Sequence, residues 1–177
     1  MPVALVSEIE QIVDGVGEND AEAANAALRQ VAERIAQAMG VQTDEVAILA
    51  VSDQMRVLHF LVPEQLRNVG FIPLSSSHAL AARTARHGKP EIINRFLDSP
   101  HASVFESVPL GREREAVIQK IMSAPIKTDA RVIGVVEISR KARSCDDSGP
   151  DFTKRDLREL LPLTRALAKL LRFFTCE

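Results

Sequence analysis

The 177-residue sequence predicts an α+β domain, a central antiparallel sheet flanked by helices, with the N- and C-terminal helices packed together on one face. Three observations carry this expectation. An apolar segment at 122–126, a polar turn at 127–131 and a second apolar segment at 132–138 read as an antiparallel hairpin. Ala23, Ala27, Val31, Ile35 and Ala38 recur at the three- and four-residue spacing of a helix. In the tail, Leu160, Leu163, Leu167, Leu170 and Phe174 show the same alternation, so helical patterns bracket a strand-forming middle.

The elements follow in order. Val6, Ile9, Val13 and Val16 form the apolar seam of a short first helix, broken by Gly15 and Gly17. Asn19 or Asp20 caps the alanine-rich second helix, and Gly40 stands just past its end, where glycine is favoured. Strands are expected at 45–51 and 55–62 around a turn at 52–54. The second is apolar on both faces, which places it inside the sheet. Pro63 ends it. A loop through Gly70 leads to a helix at 79–87, with its N-cap among Ser75, Ser76 and Ser77 and Gly88 as its stop. A short strand at 89–94 precedes residues 95–114, which mix proline, serine and charge like a long loop with one or two helical turns, an expected lid. Strands at 119–126 and 132–139 come next, then a polar connection at 140–150 expected to be mobile.

Thr153 caps the last helix, with Asp156 three residues on as in a capping box, and Pro162 kinks or restarts it. The leucine repeat spans about two heptads. It either packs on the domain's own sheet or, with Leu157, Leu161 and Leu171 as a second stripe, offers a face to another chain. Under the second reading, Val6, Ile9, Val13, Leu160, Leu163, Leu167 and Leu170 form a dimer interface. The division expected is a helical extension at 1–18, the domain at 19–174 and a tail at 175–177.

Composition narrows the function. Apolar residues at 46% and charged residues at 26% suit a soluble globular chain, and a net charge of -2 gives nucleic acid no global attraction. No apolar run approaches a membrane span and no signal peptide is visible. Cys145 and Cys176 form no CxxC pair and no metal-ligand spacing, and a reducing cytoplasm is the expected location. Residues 1–45 hold nine acidic and two basic side chains, and residues 140–177 hold nine basic and six acidic, so the two helical ends attract weakly.

Chemistry is sparse. His59, His78, His87 and His101 are dispersed, without an HExxH pattern or an acidic neighbour at ligand spacing, so no metal site is assigned. His59, inside an apolar strand, reads as a core histidine, with cavity lining or haem ligation as the functional alternative. His78 follows three serines at a helix start, where backbone donors favour an anionic group, although capping alone also explains the serines. No nucleophile elbow, phosphate-binding glycine loop or adjoining nucleophile and base is present, so no catalytic residue is assigned and an enzyme is not expected; the alternative is an enzyme with an uncharacterised pocket chemistry, with His78 as its candidate. A nucleic-acid role would have to rest on Arg140, Lys141, Arg143, Lys154 and Arg155.

The segments 72–94 (IPLSSSHALAARTARHGKPEIIN) and 123–137 (SAPIKTDARVIGVVE), with the order of elements over 19–174, resemble the GAF domain, the small-molecule sensing module of cyclic-nucleotide phosphodiesterases, phytochromes and bacterial signalling proteins. PAS domains share the layout of a sheet with helices over a cavity, but the His87-Gly-Lys-Pro turn and the Arg131-to-Glu137 strand favour GAF. Cyclic-nucleotide-binding members carry an Asn-Lys pair after the last core strand and a later Phe followed by Asp-Glu. Here those places read Ser139-Arg140-Lys141 and Phe152-Thr-Lys-Arg-Asp156-Leu157, which speaks against cyclic nucleotides. Neither cysteine matches the attachment site of bilin-binding members or the pocket cysteines of the free methionine sulfoxide reductases built on this fold.

The resemblance places Phe71, Ser76, Ser77, His78, Asn94, Phe96 and Glu137 around the ligand cavity. Glu137 lies in an otherwise apolar strand, and simple alternation would point it to solvent. With no Trp or Tyr in the chain, the cavity is expected to be small and aliphatic, or collapsed. The function implied is a non-catalytic sensory or regulatory domain, a homodimer that relays a signal to a separate partner protein. It would need no cofactor, take an unidentified small molecule and have no membrane or nucleic-acid partner.

Overall fold

The computed structural model describes residues 2–100 and 116–175. His101, Cys176 and most of the expected lid lie outside the described residues. The described chain runs α1 (Pro2–Asp14), α2 (Ala21–Met39), β1 (Val46–Ser52), β2 (Val57–Val62), β3 (Phe71–Pro73), α3 (Leu80–His87), β4 (Glu91–Ile93), β5 (Val117–Lys127), β6 (Val132–Ala142), α4 (Lys154–Leu160) and α5 (Leu163–Leu171). The strands form one antiparallel sheet in the order β3-β2-β1-β6-β5-β4.

Local chemistry sets the helix boundaries. The Asp20 carboxylate accepts the Ala23 N–H at 2.9 Å, and Gly40 closes α2 with a left-handed φ of 64°. Thr153 and Asp156 cap α4 reciprocally: Thr153 N–H donates to the Asp156 carboxylate at 2.7 Å, and Asp156 N–H donates to Thr153 Oγ1 at 3.3 Å. Pro162 separates α4 from α5, as its missing N–H requires.

The sheet is covered on both faces. On one, α1, α2 and α5 form a layer in which Ile9, Leu28, Val31, Ile35, Leu167 and Leu171 pack against strand residues that include Ile48, Val136 and Ile138. On the other, α3 crosses β5 and β6 over Leu49, Leu58, Phe60 and Val135. Gly134 permits the first of these contacts. A Cβ there would lie 2.3 Å from Leu171 Cδ2 and 2.5 Å from the Leu49 carbonyl oxygen, so only glycine lets α5 and β1 approach β6 this closely. Lys169 on α5 reaches Asp14 on α1 at 3.4 Å, one ionic contact between the oppositely charged ends.

Several expectations change. Ile9, Val13, Leu160, Leu163, Leu167 and Leu170 are buried within the chain, and Val6 packs partly buried against the same core, so this seam is interior and is not presented to a second copy. The residue at the N-cap of α3 is Ala79; Ser76 Oγ instead accepts the Ala79 N–H at 3.1 Å from the preceding turn. The short β3 occupies what reads in sequence as loop. β6 continues to Ala142, so the first part of the segment expected to be mobile is strand, and its side chains are tied down. The Arg140 guanidinium donates to the carbonyls of Gly40 and Met39 at 3.2 and 3.4 Å and lies 4.7 Å from the Phe152 ring centre. Lys141 Nζ donates to the Asp44 carbonyl at 2.9 Å.

Candidate functional site

The site is built on β6. Because helices cover both sides of the sheet, apolar residues are expected at every position of its central strands, and β6 obeys this from Ile133 to Ile138 with one exception, Glu137. Alternation sends Val136 and Ile138 to the α1–α2–α5 layer and Val135 and Glu137 to the α3 side. Solvent does not reach that side here. Glu137 is 2% exposed, so its expected turn toward water is replaced by full burial beneath α3.

Its neighbours follow from register. Glu137 pairs with Ser123 on β5 and with Ala47 on β1, and cross-strand partners share a face. Ser123 is buried and shares a 2.8 Å hydrogen bond with Thr84 Oγ1 of α3, itself buried. Thr84 lies four residues after Leu80, on the stripe of α3 that faces the sheet, and Ala81 and Ala82 keep that helix close. Three polar side chains therefore stand together inside an apolar layer. Val135, Leu49, Ala81 and Ala82 bound them on one side, and Leu80, Phe96 and Ile121 form a second cluster further along β5.

Neither carboxylate oxygen of Glu137 has a hydrogen-bond partner among the described residues. Burial disfavours the charged form and pushes the carboxyl pKa up to about 8. The Ser123 hydroxyl acts weakly in the opposite sense, without reaching hydrogen-bond geometry. Near neutrality the side chain is thus a buried carboxylic acid, able to donate a hydrogen bond or to give up its proton when a cation arrives.

The other expected ligand residues are dispersed. Phe71 lies on β3 opposite His59, on the face away from Glu137, and is 58% exposed. Ser76 closes a turn, and Ser77 and His78 are exposed before α3. Asn94 is a clamp: its amide donates to the Phe152 carbonyl and accepts the Phe152 N–H, both at 2.9 Å, fixing the approach to α4. Phe96 fills the core against Leu80 and Ile121, on the α3 side of the sheet. His59 is half-buried on β2, and desolvation, then the Arg67 charge, lower its pKa. No cluster of three or more His, Cys, Asp or Glu side chains able to hold a metal occurs among the described residues.

Ser123 and Thr84 were not singled out from sequence. The available signals were a serine inside the apolar run Ile121-Met-Ser-Ala-Pro-Ile126 and a threonine on the buried stripe of a short helix. A cavity of about 310 Å³ opens on the helical side between α1, α2 and α4, over Leu5 and Met39. There Arg34 donates to Glu8 at 2.6 Å, so its charge is already met.

The family model for the GAF domain matches residues 22–172. No curated protein matches the chain. Among solved structures, the GAF domain of an Acinetobacter phosphoenolpyruvate-protein phosphotransferase shares 14% identity at a TM-score of 0.69, covering 96% of this chain and 92% of that one. The corresponding domain from Coxiella burnetii shares 12% at 0.70, covering 97% and 92%. A free methionine-R-sulfoxide reductase from Neisseria meningitidis, in complex with its substrate, shares 17% at 0.65, covering 96% and 87%.

Proposed function

Since the chain belongs to the GAF domain family, we propose that it is a non-catalytic sensory or regulatory domain that binds a small molecule between α3 and the sheet and relays occupancy to a separate protein. The observation that carries this reading is Glu137, a buried carboxyl group with no hydrogen-bond partner among the described residues, beneath the shorter of the two helical covers. Burying such a group without compensation is unfavourable, and a ligand that supplies the missing contact binds one arrangement of α3 better than another. The relay is a population shift set by that differential affinity.

Native mass spectrometry of freshly purified protein tests the proposal. The expected spectrum shows a defined extra mass that leaves on unfolding; a bare chain that also acquires no mass from a metabolite extract would overturn the binding role. The same spectrum reads oligomeric state. A homodimer remains part of the proposal, through a surface other than the buried leucine seam.

A catalytic reading is suggested by the methionine sulfoxide reductases of similar fold, such as the substrate complex from Neisseria meningitidis. Thiol chemistry here would have to start from Cys145, which lies after β6 and donates its S–H to the Asn94 carbonyl at 3.6 Å, or from Cys176. Turnover of free methionine sulfoxide with a thiol reductant, lost in Cys145→Ser or Cys176→Ser, would establish that reading in place of the sensory one. The nucleic-acid alternative is weakened because Arg140, Lys141 and Arg155 are each engaged by protein groups.

A further inference from the structure

We propose that the cluster of Glu137, Ser123 and Thr84 beneath α3 receives the ammonium group of a small aliphatic amine. This rests on the ligand-binding reading above and names the class of ligand.

The donor count motivates it. An alkylammonium carries three N–H donors and no acceptor, and the cluster presents a carboxylate and two hydroxyl oxygens on adjoining elements. The Ser123–Thr84 hydrogen bond uses one hydroxyl proton and leaves lone pairs on both oxygens. Among the described residues, an anion would find no cation there. On α3, Arg83 is turned to Glu91 at 3.3 Å, and Arg86 donates to the Ser76 carbonyl at 2.8 Å and to that of Leu74. On the sheet, Glu137 faces Ala47 and Ser123, with Val135 and Ser139 beside it along β6. The Ser139 hydroxyl donates to the Glu45 carbonyl, and the Glu45 carboxylate accepts the backbone N–H groups of Gln42 and Lys141 at 2.7 Å each. Among the described residues, then, no cation neutralises Glu137 and no second carboxylate is aimed at it. Leu49 and Val135 on one side and Leu80, Phe96 and Ile121 on the other suit an alkyl chain.

Binding would exchange one cation for another. The arriving ammonium favours the charged carboxylate, so Glu137 releases its proton to solvent as the ion pair forms. The proton count per ligand is therefore a signature that a purely structural role for Glu137 would not produce.

The test is isothermal titration calorimetry of the whole protein with n-butylammonium and isoamylammonium chlorides, against 1-butanol and isoamyl alcohol, in buffers of differing ionisation enthalpy. With a carboxyl pKa of about 8, the expected release is about 0.9 proton per amine at pH 7, falling to about 0.1 at pH 9. Glu137→Gln should weaken amine binding at least about tenfold and abolish the release, a loss typical of breaking a charge-assisted contact. If that variant fails to fold, the proton count on the unaltered protein still decides. Alcohols binding as tightly as amines, with no proton release, would overturn the amine class and leave a small-molecule site standing. Failure of both to bind would overturn the inference, while the sensory reading is judged separately by the mass spectra.

Discussion

Replacing Glu137 with glutamine keeps the shape of the side chain and removes its titration. In the folded protein the carboxyl holds its proton up to about pH 8, against 4.5 for an unperturbed glutamate, because burial opposes the charge. In the unfolded chain the proton leaves near pH 4.5. Between these values the native state binds a proton that the unfolded state has lost, so stability falls as pH rises; below the interval the contribution is complete, and above it nothing more is lost. At about 1.4 kcal/mol per pH unit, the full interval amounts to at most about 5 kcal/mol. Urea denaturation at pH 5.5, 7 and 8.5 reads the effect. Between the two outer values the natural protein should lose about 3 kcal/mol more than Glu137→Gln, since the fall is confined to the region below the native pKa. His59 and the surface groups titrate alike in both proteins and cancel in the difference. A gap between the two proteins that stays constant with pH would refute the assignment of a protonated, buried Glu137.

Three further substitutions probe the frame that holds the site. Gly134→Ala places a methyl against the Leu49 carbonyl, which cannot rotate away, and should cost about 3 kcal/mol or more in chemical denaturation; a loss within 0.5 kcal/mol or so would show that β6 and α5 do not approach as described. Asn94→Ala removes both hydrogen bonds to Phe152 and should cost about 2 kcal/mol, with faster amide exchange in the segment leading into α4. Leu167→Ala opens a cavity in the helical layer and should cost about 2 to 5 kcal/mol, with the same dependence of the denaturation midpoint on protein concentration as the natural protein. A midpoint that becomes markedly more concentration-dependent in that variant than in the natural protein would mark Leu167 as an intersubunit residue.

The parts of the fold that were legible in the sequence were those with a period or a cap. Gly40, Thr153 with Asp156, and Pro162 each act through backbone chemistry that depends on the local chain alone, and the boundaries they mark are found. β3 was not legible. It has three residues, an exposed Phe71, a proline and no alternation long enough to see, and pairing with β2 creates it. The extension of β6 past Ser139 was hidden for a related reason. Arg140 and Lys141 look like the start of a polar loop, but β5 continues beside them and distant carbonyls hold their side chains. The site was half legible. Glu137 stood out as one charge in an apolar strand, yet whether it faced water depended on a helix packing over that side of the sheet, which no local pattern reports. The clamp made by Asn94 was not legible, because a contact with a chain segment 58 residues away leaves no mark on its neighbours.

A single thickness of backbone separates two environments in β6. Val136 and Ile138 seat the layer that includes α5, while Glu137 between them stands in the polar cluster beneath α3. No intervening layer of side chains cushions one from the other. Under the proposed binding role, a group captured by the Glu137 carboxyl would act on a strand whose opposite face seats α5, where Gly134 leaves no room for so much as a methyl between β6 and Leu171.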